Sequence, residues 1–159
     1  MSDDTETTLE TPGLDRLVRA LKQDSPKIRV GVLGAKAGRG DPSADKASGL
    51  NNAEVGAFHE FGNGDMQRSF LRVPISDHLQ KEMESSGALD EDVLQEVIKT
   101  GDLIGWAKKV AALCEGIVAK AFDSQGYGKW KPSQMKYKEV KQTLVETQQL
   151  RNSITSEVK

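Results

Sequence analysis

Residues 103–122 read LIGWAKKVAALCEGIVAKAF. Leu103, Trp106, Ala107, Val110, Leu113, Cys114, Ile117, Val118, Ala121 and Phe122 recur at steps of three and four, which places them on one broad face of a helix. Asp102 can cap its first turn, and Gly101 interrupts the amphipathic run before it. An apolar stripe this wide needs a flat apolar partner, so the helix is expected to lie across a sheet.

The candidate strands lie far from this helix in sequence. In Lys27 to Leu33, Ile28, Val30 and Val32 alternate with Lys27 and Arg29, the pattern of a strand with one buried face. Ser153 to Val158 alternates Ile154 and Val158 against Thr155 and Glu157, and closes the domain as a second strand. Arg68 to Val73 reads as a third. Ala53 to Phe61 is short and apolar, and fits either a helix or a strand. Three more helices are expected. One opens at Thr11-Pro12 and carries Leu14, Leu17, Val18 and Leu21, stopping near Asp24-Ser25-Pro26. Another opens at Pro74 or Ser76 with Leu79 and Met83. The last is capped by Asp90 and carries Val93, Leu94, Val97 and Ile98. This order predicts an α+β fold, with one long and several shorter helices packed on one face of a small, mainly antiparallel sheet. Residues 12–159 form the single domain, residues 1–11 an acidic tail, and Gly34 to Asn52 a long loop without periodicity. Gln125 to Thr147 is polar and turn-rich.

The chain has 159 residues, enough to bury one core, with 36 % hydrophobic and 29 % charged residues. A net charge of −2 gives no general reason to expect a nucleic-acid partner. Cys114 is the one cysteine, so no disulfide can form within the chain. No stretch approaches the roughly 20 apolar residues that span a bilayer. The chain is therefore expected in the cytosol. Charge is unevenly placed. Residues 76–96 hold seven acids and one lysine, and residues 129–141 hold five lysines and one glutamate. Oppositely charged patches of this kind can steer subunits together head to tail.

Chemical motifs are weak. Gly31, Gly34, Gly38 and Gly40 follow a strand, but no Gly-Lys-Ser/Thr closes a phosphate loop. Arg39-Gly40-Asp41 is a chance tripeptide in a Gly-rich loop. His59-Glu60 begins like a zinc-protease helix, yet Asn63 stands where the second histidine belongs, and His78 has no companion ligands in sequence. Cys114 lies on the apolar stripe, the place of a small buried hydrophobe.

Three segments resemble a known family. One is Ala53 to Gly62, including Glu60-Phe61-Gly62, followed by Arg68-Ser69-Phe70-Leu71-Arg72-Val73-Pro74. The second is the long helix with Gly128-Lys129-Trp130-Lys131-Pro132-Ser133 after it. The third is Leu144 to Thr155, with Leu150-Arg151-Asn152-Ser153-Ile154. In this order and spacing they resemble the neck and tail-completion (virion-morphogenesis) proteins of tailed bacteriophages, a group related to the lambda minor tail protein Z. Ser69 and Val73 stand where that family often has prolines, and Glu146 and Gln148 where Asp and Gly are usual. The last exchange bears on the turn before the final strand, since glycine takes positive φ cheaply.

The resemblance implies a structural virion protein at the head–tail neck, with no catalytic residues, cofactor or metal. Its partners would be copies of itself in a ring, sixfold like the tail, together with head-completion or connector proteins and tail terminator or tail-tube proteins. No membrane or specific nucleic acid is implied, and the protein would be found in the virion after assembly in the host cytoplasm. The alternatives are a tail terminator capping the tube and, less favoured, a nucleic-acid module using the lysines near Trp130.

The expected interface residues are Arg68, Phe70, Arg72, Trp130, Arg151 and the loop Gly34 to Asn52, which lacks the apolar residues to order itself. Large aromatics such as Phe61, Phe70 and Trp130 commonly pack in the core. In a strand over 68–73, however, Leu71 and Val73 facing inward would turn Arg68, Phe70 and Arg72 outward as one patch.

Overall fold

Two five-residue strands rich in β-branched residues, β1 (Ile28–Val32) and β2 (Ile154–Val158), pair antiparallel, with Ile28 opposite Val158 and Val32 opposite Ile154. Lys27 and Lys159 extend the ladder by exchanging backbone hydrogen bonds of 2.7 and 3.0 Å. The computed structural model describes residues 25–37, 51–62, 67–131 and 148–159, together with Pro12, Asp15, Val18, Arg19 and Lys22. Those five isolated residues are all helical and exposed, in keeping with the helix expected there; Leu14, Leu17 and Leu21 lie outside the described residues, as do residues 1–11.

Between the strands, among the described residues, come a 3-10 turn (Gly34–Ala37) and five helices: α1 (Asn52–Phe61), α2 (Arg72–Ser85), α3 (Glu91–Thr100), α4 (Leu103–Asp123) and α5 (Gln149–Ser153). The fold is α+β, and among the described residues it is mostly helical. As the periodicity predicts, α4 crosses the sheet and packs on both strands and on α2. Of its stripe, Ala107, Val110, Cys114, Ile117, Val118, Ala121 and Phe122 are buried and form the core wall together with Ala111, while Leu103, Trp106 and Leu113 are half-buried. The Asp102 carboxylate accepts from the Gly105 amide at 2.8 Å, and Gly101 adopts the left-handed conformation that ends α3.

Ala53 to Phe61 is a helix, and a local signal decides it. Asn51 and Glu54 form a capping box: the Asn51 side chain accepts from the Glu54 amide at 2.9 Å, and the Glu54 carboxylate accepts from the Asn51 amide at 2.8 Å. Gly56 lets α1 approach the core closely, since a Cβ there would sit 3.4 Å from both Leu150 and Phe70. The ends of the expected loop are structured within the chain. Gly34–Ala37 turns once, and the Asn52 side-chain amide donates to the Lys36 carbonyl at 3.4 Å. For those ends no neighbour is needed; residues 38–50 lie outside the described residues.

Arg68 to Val73 is not a strand. Residues 67–71 are irregular and α2 begins at Arg72, two residues before the expected start at Pro74. Phe70 is 1 % exposed, at the centre of the core with Val118, Phe122 and Leu150. Its ring lies 5.2 Å from that of Phe122, which Trp130 meets edge-on at 5.8 Å.

At the entry to α5, Gln148 holds φ 53°, ψ 0°, the left-handed region in which a Cβ is strained. Glycine takes this conformation without such a cost. Gln148→Gly is therefore expected to stabilise the protein by about 0.5–1 kcal/mol, the relief of strain less the extra flexibility of the unfolded chain. A higher urea midpoint at unchanged slope would show this; a lower midpoint would mean that the glutamine side chain matters more than its backbone.

Candidate interaction surface

Glu60, in the last turn of α1, organises the whole segment read as a strand. Its side chain is 3 % exposed. One carboxylate oxygen accepts from the Phe70 and Leu71 amides at 2.9 and 3.0 Å, the other from the Arg72 amide at 3.0 Å and the Ser69 hydroxyl at 2.7 Å. Ser69 in turn accepts from the Val73 amide at 3.1 Å. These amides lead into α2, which has no side-chain cap of its own at Leu71. A carboxylate aimed at a helix N-terminus satisfies donors that the helix leaves open and opposes the positive end of its dipole. With four donors on one buried anion, the backbone bends around the carboxylate and the pleat of a strand is lost.

This knot separates the three residues expected to form one outward patch. Phe70 goes inward. Arg68 is 9 % exposed; its guanidinium donates to the carbonyls of Gln67 (3.0 Å) and Lys131 (3.3 Å), which ties the segment to the turn after α4. Only Arg72 points out, its side chain 62 % exposed, with Nε 3.8 Å from Glu60 and the guanidinium 5.6 Å from the ring centre of Phe61. The expected Arg68–Phe70–Arg72 patch is thus corrected to Arg72 with Phe61, which is 69 % exposed and not in the core. An exposed phenylalanine held under an arginine is a pairing enriched at interface centres.

Trp130 is half-buried against Phe122. Arg151 is half-buried and bridges to Asp123 at 2.8 Å, joining α5 to the end of α4. Both residues hold elements of this chain together. The charged segments also touch within the chain, where Lys129 pairs with Asp77 at 2.8 Å and holds the Asp77 carboxyl below its usual range; Lys120 of α4 pairs with Glu82 of the acidic segment at 2.7 Å. Asp90, Glu91, Asp92 and Glu96 remain exposed on and before α3.

Beside Arg72 and Phe61 lies an apolar groove of about 530 Å³. Val30 and Val32 of β1, Ala57 of α1, and Leu71 and Ile75 at the start of α2 line it. No sequence pattern announces it, because it forms only where three elements meet. Among the described residues no three His, Cys, Asp or Glu side chains are close enough to hold a metal, and no helix is long and apolar enough to cross a membrane. Cys114 is buried in α4, and burial raises its thiol above the ordinary value. The chain matches no protein-family model, no curated protein and no solved structure.

Proposed function

We propose that this chain is a structural, non-enzymatic subunit of a tailed-phage virion, placed as a ring at the neck where head and tail join. One observation carries the reading beyond the residues quoted for the resemblance. The separate stretches that resemble the neck family meet in one place: Glu60 of the first holds the Phe70-Leu71-Arg72 backbone, Phe70 packs on Phe122 and Leu150, and Trp130 closes the same cluster. Residues distant in sequence thus serve one packing unit, as a resemblance of fold requires. The exposed Arg72–Phe61 pair and the groove beside it supply a surface of the kind assembly needs.

The reading is tested by complementing a phage that lacks the gene. Without the protein, filled heads and finished tails should accumulate unjoined, and the wild-type protein should restore joined particles. Arg72→Ala removes an exposed side chain, so stability should change by less than about 1 kcal/mol, while joining should fall sharply. Heads and tails that join normally without the protein would overturn the neck reading; tails of uncontrolled length would point to a terminator.

A further inference from the structure

This chain carries two exposed apolar surfaces that α2 separates along the chain. The first is the groove between β1, α1 and α2, with the exposed Arg72 and Phe61 at its side. The second is α3, a ten-residue helix in which no residue is buried. Its stripe of Val93, Leu94, Val97 and Ile98 is only half-covered, with Leu94 37 % exposed. Exposed carboxylates of Asp90, Glu91, Asp92 and Glu96 lie on and before this helix, whereas the groove has the exposed guanidinium of Arg72 at its side. An aliphatic stripe with repeats at three and four residues is the form that enters a groove, and opposite charges around the two surfaces set its register.

Geometry then selects the occupant. The groove is built on the first turn of α2, at Arg72 and Ile75, while α3 follows its last turn at Ser85. The 14 residues of α2, about 21 Å long at 1.5 Å per residue, separate the groove's first turn from the turn that leads into α3. We propose that α3 of one copy seats its Leu94 stripe in the β1–α1–α2 groove of a second copy, with Arg72 facing the α3 carboxylates. Two different patches make this contact heterologous, so it repeats head to tail and ends only when a ring closes. The proposal deepens the neck-ring reading and rests on it for closure into a ring.

The test traps the contact in the full chain. In a Cys114→Ser background, Leu94→Cys protein is mixed with Ala57→Cys protein and oxidised; both positions are exposed, and circular dichroism checks each fold. The mixture should give a disulfide-linked dimer that neither variant gives alone. Arg72→Glu on the Ala57→Cys copy should lower the yield about tenfold, and Glu91→Lys with Glu96→Lys on the other copy should restore it. Absence of the mixed dimer in concentrated protein, Leu94–Leu94 linkage as the main product, or indifference to Arg72→Glu would each overturn the contact. Phage complementation separates the two ideas. Full rescue by a Leu94→Asp, Val97→Asp variant sinks the contact and leaves the neck reading standing. A mixed dimer from a protein that fails to complement sinks the neck reading and leaves the contact standing.

Discussion

Phe70→Ala is expected to destabilise the protein by about 3–5 kcal/mol, the range for removing a buried phenylalanine ring. Phe70 is among the largest fully buried side chains. Its loss would leave a void facing Phe122, Val118 and Leu150, under the point where Gly56 brings α1 down onto the core. The helices around it cannot simply collapse into the space: α1 and α2 are pinned by the Glu60 hydrogen bonds, and α4 by the sheet. Phe70→Leu fills part of the void and should cost distinctly less. Thermal or urea unfolding of both variants checks this. A loss below about 1 kcal/mol for Phe70→Ala would mean that the ring contributes little to the fold and would reopen an outward role for it.

Where the deciding interactions are local, the residues show them. The stripe from Leu103 to Phe122, the Asp102 cap and the alternation of Ile28, Val30 and Val32 each lie inside the element they specify, and each appears in the structure. The helix at Asn52–Phe61 was equally legible from Asn51 and Glu54, a capping box just before an apolar run, although the short run alone left helix and strand open. Arg68 to Val73 was misread for the opposite reason. As a strand it would offer two faces, Arg68-Phe70-Arg72 and Ser69-Leu71-Val73, but the conformation is imposed by a carboxylate nine to twelve residues upstream, through backbone amides whose partners no side-chain pattern reveals.

The same non-locality governs the surface. Phe61 and Arg72 are eleven positions apart and become a pair only because Glu60 brings the end of α1 to the start of α2. Arg68 and Arg151, expected at an interface for their planar guanidinium groups, use those groups inside the chain, on carbonyls and on Asp123. Arg151 does meet a carboxylate, but one of its own chain, and Arg68 meets only carbonyls in the hydrogen bonds described. Whether the acceptor belongs to this chain or to a neighbour depends on tertiary placement.

Glu60→Gln is the sharper test of that placement, because it changes one atom and the charge while keeping shape. Each carboxylate oxygen accepts two of the four hydrogen bonds, from Phe70 and Leu71 on one side and from Ser69 and Arg72 on the other. An amide keeps one accepting oxygen and replaces the other by a donor, so two N–H or O–H groups would face an NH₂ group whichever way the side chain turns. The anion opposing the N-terminus of α2 disappears as well. Unsatisfied buried donors cost about 1–3 kcal/mol each, and two of them set an expected loss of roughly 3 kcal/mol. Glu60→Ala leaves all four donors without this acceptor, but water can enter the space, so its loss should be similar in size and not double. The location of the damage is the more decisive readout. Amide hydrogen exchange should speed up at Phe70, Leu71, Arg72 and Val73 in both variants, while the Ala111 to Val118 amides of α4 keep their relative order of protection. Unchanged exchange at residues 70–73 would show that the carboxylate does not hold this segment, and the Arg72–Phe61 surface would then need another support.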